Sequence, residues 1–434
     1  MAETRIIEAD LTWTGDGFAR GVQVAVGDDG RIEQVGALGV PPTERLEKRA
    51  LLPGMVSAHS HAFQIGLRGM GERFPGGAGS FWTWRDAMYG LVELMDAKRL
   101  RRLCLRAFRE MLSQGITTTG EFHYLRHDVS RAGFAFDEVI LDAAAEAGVR
   151  LCLLCSHYSQ GGFGKPLLGG QVRFASGDVE AYWKQLDHLS TRIDAHTQSL
   201  GASVHSLRAA TLEELALVHT ESKRRGMVFH IHIEEQRREI QQCIDAHDAA
   251  PMALLCERLE IDERFTAVHC THTDPTEMER FIEMGGRVCI CPLTEANLGD
   301  GVADVPGILG SEGRICIGTD SNARICMAEE LRWLEYVQRL SGEERGVVTD
   351  DAGRLAPALI RVGATEGAAA LGVESGAIEA GLHADFFTLD LDHPTLAECD
   401  DESLAEAWLL GSDGGAVAET CVGGRWVWRR GESP

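Results

Sequence analysis

The sequence predicts an α/β fold, a (β/α)8 TIM-type barrel with a small β-sandwich-like domain that both chain ends build. Three observations predict it: the length of 434 residues, the alternation of apolar and helix-like segments through the middle of the chain, and strand-like stretches near both ends. A barrel occupies about 250 residues, which leaves room for a smaller companion. We expect residues 1–52 and 376–434 to form the small domain and residues 53–375 the barrel.

Eight apolar runs in the middle of the chain are the expected barrel strands. Helix-like segments separate most of them, and in one of these, residues 96–112, apolar side chains recur about every 3.6 residues. Several runs are apolar throughout, which suits parallel strands that are buried on both faces. The runs are residues 51–58, 116–123, 149–157, 201–206, 227–233, 265–270, 287–292 and 314–320.

A doubly wound open sheet is the alternative architecture. It would place a glycine-rich phosphate-binding turn early in the chain, and the sequence has none there. Residues 161–166 (GGFGKP) superficially resemble such a turn, but Pro166 stands where a P-loop has Ser or Thr. We expect this segment to be a flexible loop over the barrel mouth.

Short strand-like stretches near the two ends predict the small β domain. Residues 23–26 and 31–35 flank an Asp-Gly turn, which is a hairpin signal. Residues 384–390 and 424–428 are similarly rich in residues that favour strands. Two β-rich ends that flank a different middle predict one domain to which both ends contribute.

The composition excludes several classes of function. The chain has 42 Lys and Arg against 66 Asp and Glu, a formal charge of −24, which argues against nucleic acid or an anionic membrane as a partner. Local cations must therefore capture any anionic substrate. No apolar run of 18 residues predicts a membrane span.

The cysteines and the first residues predict a cytoplasmic protein. Residues 1–8 lack the basic and apolar blocks of a signal peptide. The twelve cysteines lie mostly in apolar runs, where reduced cysteine serves as a small hydrophobic residue. Cys152 and Cys155 form a C-x-x-C pair inside such a run without a second pair, so we interpret them as core residues.

Histidines and one aspartate at the ends of the predicted strands indicate a metal site. Catalytic residues of such barrels lie at the carboxyl ends of the strands. His59 and His61 end the first run and can both face inward, because alternate residues of a strand point the same way. With His232 and Asp320 they complete three nitrogens and one oxygen, which suits zinc with one position left for water. His188, His219 and His393 are interpreted as ordinary core or surface residues.

Several segments resemble a known superfamily. Residues 52–61 (LPGMVSAHSH) resemble the opening motif of the amidohydrolase superfamily, and residues 376–381 (GAIEAG) with 384–386 (ADF) resemble its closing β segment. Other segments are similar to one family within it, the formimidoylglutamate deiminases of histidine degradation. These are HSHAFQ (59–64), FWTWR (81–85), EFHY (121–124), HSLRA (205–209), TEANLGDG (294–301) and ELRWLEY (330–336).

The resemblance implies an activity. The implied reaction is metal-dependent hydrolysis of N-formimino-L-glutamate to N-formyl-L-glutamate and ammonia. The chain departs from the family pattern at residues 291–293 and at Asn322, and neither departure removes a candidate ligand.

The residues also predict one metal ion and a path for protons. Many amidohydrolases hold two metals bridged by a carboxylated lysine, but none of the five lysines here ends a predicted barrel strand. One zinc ion is therefore expected, and it lowers the pKa of its bound water toward about 7, so that hydroxide can attack the formimino carbon. Asp320 would take the proton of the water and His269 would hold the hydroxide. Glu235, three residues after His232, would carry a proton to the departing nitrogen, whereas Glu234 would point away and lie on the surface.

Recognition of the substrate is predicted from the resemblance. It implies that Gln64, Tyr124, His205 and Arg208 contact the glutamate portion, whose carboxylates suit planar guanidinium groups. Arg85 contributes as well, from its own chain or from the neighbouring subunit of a homodimer.

Two other hypotheses stay open. One is another deaminase of the superfamily, acting on a purine, a triazine or an adenosyl compound, for which aromatic stacking walls are expected in place of arginines. The other is a non-catalytic scaffold, which should lack one or more ligands, although all the candidate metal and catalytic residues are present.

Overall fold

The structure is a computed structural model that describes residues 4–72, 74, 79–129 and 133–432. Two eight-stranded sheets account for all the strands in these ranges. The strands are β1 (Arg5–Trp13), β2 (Phe18–Ala19), β3 (Gln23–Val26), β4 (Ile32–Gly36), β5 (Glu44–Pro53), β6 (Met55–Ser60), β7 (Ile116–His123), β8 (Arg150–His157), β9 (Gln198–Val204), β10 (Phe229–Ile233), β11 (Phe265–His269), β12 (Arg287–Ile290), β13 (Arg314–Ile317), β14 (Phe386–Asp390), β15 (Val417–Val422) and β16 (Arg425–Arg429).

Helices follow most of the strands of the middle segment. They are α1 (Phe81–Glu93), α2 (Ala97–Ser113), α3 (Ala135–Ala147), α4 (Val179–Ser190), α5 (Leu212–Arg224), α6 (Arg237–His247), α7 (Pro251–Arg258), α8 (Pro275–Glu283), α9 (Pro292–Leu298), α10 (Val305–Gly310), α11 (Met327–Gly342), α12 (Leu355–Gly363), α13 (Thr365–Leu371) and α14 (Leu404–Glu406). Short 3₁₀ turns span Ala62–Leu67, Gly169–Arg173 and Gly414–Ala416, and a π-turn spans Ala407–Gly411.

Strands β6 to β13 form the predicted barrel. Each pairs in parallel with the next in chain order, and a bridge between Ser60 and Asp320 joins the last strand to the first. Strands β6, β7 and β8 are buried along their whole length, as their continuous apolar character predicted. All eight apolar runs contain a barrel strand, so the predicted fold class is confirmed.

The first apolar run spans two strands of different sheets. Strand β5 ends at Pro53 and β6 begins at Met55, so the chain passes from the small sheet to the barrel at Gly54. A Cβ atom at position 54 would lie 2.1 Å from Thr117 Oγ1, which leaves room for glycine alone. The two strands form one uninterrupted apolar run in the sequence because the end of β5 and the whole of β6 are buried.

The remaining strands build one mixed sheet from both ends of the chain. Its order is β16-β15-β14-β5-β1-β3-β4, with β2 paired to β1, and the predicted hairpin is the antiparallel pair β3–β4. Side chains of its strands, among them Ile7, Val24, Leu51 and Phe386, form a buried cluster of their own. Both ends therefore contribute to the small domain as predicted, while its limits in the chain stay a prediction.

The states of the cysteines and the lengths of the helices are two further features of the structure. All twelve cysteines are free, and Cys152 and Cys155 are buried core residues of β8. Among the described residues, no helix combines the length and the apolar character that crossing a membrane requires.

A buried ion pair joins the barrel to the small sheet. Arg150 at the start of β8 donates two hydrogen bonds to the carboxylate of Asp385, at 2.7 and 3.0 Å, and the side chain of Asp385 is fully buried. The same carboxylate accepts the backbone N–H of Gly423, and Arg150 also donates to the carbonyl of His196. Every charge of the pair is therefore satisfied where the two sheets meet.

We predict that Asp385→Ala lowers the free energy of unfolding by about 3–5 kcal/mol, because it leaves the guanidinium of Arg150 buried without a counter-charge. Asp401→Ala is the control, since it removes a carboxylate from the exposed pair with Arg20 and should cost less than about 1 kcal/mol. Urea unfolding of both variants measures the difference. Equal costs would contradict a structural role for the buried pair.

Candidate metal centre and active site

The four predicted metal ligands converge at the carboxyl ends of the barrel strands. His232 Nε2 lies 3.0 Å from His59 Nε2 and 3.2 Å from His61 Nε2. Asp320 Oδ1 lies 3.3 Å from His59 Nε2 and 3.2 Å from His61 Nε2. All four side chains are buried, and their ligand atoms form a single cluster.

The chemistry of this cluster fits a bound cation. His61 Nδ1 donates to the carbonyl of Phe122 and His232 Nδ1 to that of His205, both at 2.8 Å, so in the neutral rings the Nε2 atoms present lone pairs to each other. Burial lowers the pKa of His59 to about 3 and also lowers the pKa of His61, which favours neutral rings. An ion at about 2.0–2.1 Å from four tetrahedral ligand atoms needs them about 3.3 Å apart. The observed distances are close to this spacing.

Backbone hydrogen bonds fix the positions of three of these residues. His61 N donates to the carbonyl of Asp320 and Asp320 N to that of His59, at 2.8 and 3.0 Å. These bonds join the first and last barrel strands. Glycine at position 318 permits the close approach, because a Cβ atom there would lie 2.7 Å from the Cβ and the carbonyl oxygen of His59.

The predicted proton-carrying residues lie beside the cluster. His269 Nε2 is 3.8 Å from Glu235 Oε1, and both side chains are buried. Burial raises the pKa of Glu235, and Asp320 adds to the shift. Burial opposes the charged form of His269, but the carboxylates of Glu235 and Glu295 overcome this and raise its pKa to about 10.

Several of these strand ends have strained backbone. His269 and Asp320 have φ values of 76° and 42°, and Glu234 has 54°. Such conformations cost about 1–3 kcal/mol in residues other than glycine and cluster at functional sites.

The prediction for Glu234 is wrong. Its side chain is buried, not on the surface, and it accepts the backbone N–H of Met252 at 2.9 Å. The side chain faces Met252 and not the ligand cluster, so only its predicted place on the surface is wrong: α7, which carries Met252, covers it.

The five predicted substrate-binding residues line one small cavity above the cluster. The cavity has a volume of about 60 Å³, and Glu235, His269 and Asp320 line it as well. Gln64 donates to the hydroxyl of Tyr124 at 2.7 Å, and the ring of His205 lies 4.8 Å from that of His232. The five residues are Gln64, Arg85, Tyr124, His205 and Arg208.

Arg85 reaches the cavity from its own chain. It lies on α1, and its guanidinium carbon is 4.4 Å from the centroid of the Trp82 ring. Arg85 therefore stacks on Trp82 and lines the cavity at the same time. A contribution from a neighbouring subunit is not needed to place a guanidinium group at this point.

Sequence reasoning missed two carboxylates that hold functional side chains. Glu295 Oε1 lies 3.2 Å from His269 Nδ1 and accepts the backbone N–H of Cys291. Glu239, fully buried on α6, faces Arg208 with 3.3 Å between its Oε1 and Nε of the arginine. Glu295 belongs to a segment that resembles the family, so its position carried a signal, whereas nothing in the sequence distinguished Glu239 from a surface glutamate.

Aromatic rings form much of the cavity wall. Tyr124 and Phe174 meet edge to face, with centroids 4.9 Å apart and planes at 90°. Tyr158 packs against both Phe174 and His205. The cavity thus combines aromatic walls with two arginines, and the walls alone do not separate a heterocyclic substrate from a dicarboxylate.

Comparison with known proteins decides the family. The profile of the amidohydrolase family matches residues 50–427. The chain belongs to the amidohydrolase family. The expectation of a hydrolase is thereby confirmed, and the His3Asp cluster is a candidate metal site.

Three relatives are particularly similar to this amidohydrolase. A formimidoylglutamate deiminase of Pseudomonas aeruginosa is 37% identical over 98% of this chain and 95% of its own. A 5-methylthioadenosine/S-adenosylhomocysteine deaminase of Haloarcula marismortui is 28% identical over 81% and 75% of the two chains. The crystal structure of an amidohydrolase from Brucella melitensis superposes with a TM-score of 0.89, at 32% identity, over 98% and 96%.

We predict one divalent metal ion per chain, measured by elemental analysis of the purified protein. His61→Ala should lose the ion, since it removes a ligand, whereas His188→Ala at an exposed position should retain it. Chelation should lower the melting temperature of the wild type and of His188→Ala but not that of His61→Ala. Two ions per chain would contradict a mononuclear site.

Proposed function

We propose that this amidohydrolase hydrolyses N-formimino-L-glutamate to N-formyl-L-glutamate and ammonia, a step of histidine degradation. The observation that carries the proposal is that Arg85 and Arg208 line the same small cavity as the His3Asp cluster and Glu235. The substrate has a basic amidine at one end, one carboxylate on the α-carbon next to it and a second carboxylate at the far end of the side chain. The cavity offers carboxylates at its base and guanidinium groups on its wall, so the two distributions of charge are complementary.

The proposed cofactor is one zinc ion, held by His59, His61, His232 and Asp320. Three imidazole nitrogens and a carboxylate oxygen are ligands that zinc prefers. When bound, zinc supplies a Lewis acid and a water molecule of lowered pKa. The carbonyls of Phe122 and His205 accept the Nδ1 protons of His61 and His232 and so direct their Nε2 lone pairs inward.

The proposed roles of the acidic residues follow from their surroundings. Asp320 accepts the proton of the attacking water; its contacts with His59 and His61 outweigh burial and hold its pKa below the usual range, so it is an anion at neutral pH. Glu235 lies in an environment that raises its pKa, which suits a group that holds a proton and then passes it to the departing nitrogen.

His269 is proposed to stabilise the charge that develops at the reacting carbon. Its Nδ1 faces Glu295, which leaves Nε2 directed toward Glu235 and the cluster. Glu295 thereby keeps the imidazole charged and fixed in orientation.

A deaminase of an adenosyl compound is the second candidate. The aromatic walls and the similarity to the deaminase of Haloarcula marismortui favour it. The two arginines and the higher identity over nearly the whole chain to the formimidoylglutamate deiminase favour the dicarboxylate. A non-catalytic scaffold is disfavoured because all four candidate ligands converge.

We also propose that the protein is a cytoplasmic homodimer and that its domains meet at residues 52/53 and 375/376. These proposals rest on the sequence and on the family resemblance. Light scattering of the purified protein measures its mass in solution and so tests whether it is a dimer.

The direct test is to incubate the zinc-loaded protein with N-formimino-L-glutamate and to measure ammonia and N-formyl-L-glutamate. In parallel, 5-methylthioadenosine is assayed for ammonia release. We expect turnover of the first compound only. Turnover of the adenosyl compound alone would replace the proposed function with the second candidate.

We predict that Glu235→Gln lowers turnover about 10²-fold or more while the metal content is kept, because the amide fills the same space but cannot carry a proton. Glu234→Gln is the matched control, since this neighbouring carboxylate faces Met252 and not the cluster. Turnover and elemental analysis of both variants are compared. Full turnover in Glu235→Gln would mean that another group carries the proton.

We predict that Arg208→Met lowers kcat/KM for N-formimino-L-glutamate by the equivalent of about 2–5 kcal/mol, because a carboxylate of the bound substrate loses its partner. The metal content and the slow hydrolysis of formamidine, which lacks the glutamate portion, should be nearly unchanged. The double variant Arg208→Met/Glu239→Gln controls for the carboxylate that the single variant leaves unpaired. Equal loss of both activities would show that Arg208 is structural.

A further inference from the structure

A second, larger cavity lies next to the active-site cavity. It has a volume of about 450 Å³ and shares Arg85, Tyr158, His205 and Arg208 with the smaller one. Its other walls include exposed residues of the loop 161–165 and of α6. We call it the outer cavity, because its walls reach solvent whereas the metal ligands lie in the inner one.

The outer cavity is cationic in a strongly acidic protein. Its lining includes four cationic side chains, Arg85, Lys165, Arg208 and Arg238, against the single carboxylate of Asp245. The chain as a whole carries a formal charge of −24. The long-range field of the protein therefore repels anions, whereas this local group of cations attracts them to a place beside the cavity that holds the candidate metal ligands.

Three of these cations have no carboxylate partner. In the part of the chain that the structure describes, Arg85, Lys165 and Arg238 make no ion pair, whereas Arg208 pairs with Glu239. The Nε atom of Arg85 is buried and has no hydrogen-bond partner among the described residues. A buried donor without a partner is costly, so this guanidinium group is arranged for a ligand that is not part of the protein.

One tryptophan brings two of the cations together. The guanidinium carbons of Arg85 and Arg238 lie 4.4 and 4.5 Å from the centroid of the same Trp82 ring. Stacking on the ring holds both charges in place although they repel each other. Burial and the neighbouring charge of Arg208 both lower the pKa of Arg85, which reflects the same crowding of cations.

The loop at the mouth is fixed in a shape that delivers the remaining cation. Gly161 N donates to the carbonyl of Lys165, and Lys165 N donates to that of Gly162, both at 2.9 Å. This tight turn places Lys165 in the wall of the outer cavity, opposite the helical residues Arg238 and Gln242 in the lining. The glycine-rich segment therefore has a defined place at the mouth.

We propose that the outer cavity is a capture site for carboxylates. There, Arg238, Lys165 and the outward side of Arg85 bind an incoming dicarboxylate before Arg85 and Arg208 pass it to the inner cavity. The proposal rests on the proposed function for the dicarboxylate nature of the substrate, whereas the charges alone indicate a small anion. Arg85 and Arg208 are the two cations that line both cavities, so they link the two binding steps.

The test uses two double variants of the zinc-loaded protein that remove the same charge. Arg238→Gln/Lys165→Gln removes the two cations of the capture site, and Arg237→Gln/Lys184→Gln removes one cation from the same helix and one from α4, neither of which lines the inner or the outer cavity. Glutarate is the probe, and its dissociation constant is measured by calorimetry at several ionic strengths.

We expect glutarate to bind about tenfold more weakly to the capture-site variant at low ionic strength, and the difference to shrink as salt screens the charges. The kcat/KM for N-formimino-L-glutamate should fall in the same way and more than kcat does, because the cations act on capture. The control variant should follow the wild type in both measurements.

The outcomes separate this proposal from the proposed function. If the two double variants bind glutarate equally and show the same salt dependence, the capture site is wrong even when the enzyme turns over N-formimino-L-glutamate. If the wild type does not turn over this compound but only the capture-site variant loses glutarate binding, the capture site stands and the proposed substrate is wrong.

Discussion

The two backbone hydrogen bonds between the first and last barrel strands are the constraint on which the rest of the structure depends. They join His59 and His61 to Asp320, so the same bonds that close the barrel also set the distances between three of the four candidate ligands. A barrel that failed to close would separate Asp320 from the histidines. Closure requires the strands to approach without a side chain at Gly318, and it is completed by Asn322, which donates to Ser60 across the seam.

Charge is separated along the path into the barrel. Carboxylates of Glu235, Glu295 and Asp320 surround the histidines at the base, and guanidinium groups lie farther out. Buried carboxylates are costly unless cations or hydrogen bonds compensate them; the charged His269 does so at the base, and a metal ion on the candidate ligands would add to it. A dipolar ligand with its basic end inward meets favourable charge along its whole length, while one inserted the other way meets repulsion at both ends.

The sequence predicted the parts of the molecule that depend on local pattern. The eight strands follow from continuous apolar runs, and the four ligands follow from their positions at strand ends. What depends on backbone conformation or on distant packing was not predictable. Glu234 is buried because α7 packs over its side chain, and Glu239 becomes the partner of Arg208 only because α6 packs beside the loop after β9. Likewise, the outer cavity brings together Lys165 and Arg238, which are far apart in the chain.

The pairing of β5 with β14 also imposes an order on biosynthesis. Strand β5 is complete at Pro53, but the strand that covers its second edge begins at Phe386, after the entire barrel has been made. At roughly 5–20 residues per second, that edge stays open for tens of seconds. An open strand edge is a template for pairing with other chains, so the nascent protein is most prone to aggregate in this interval. The strands that are synthesised last, β14 to β16, therefore complete the sheet whose other strands are synthesised first.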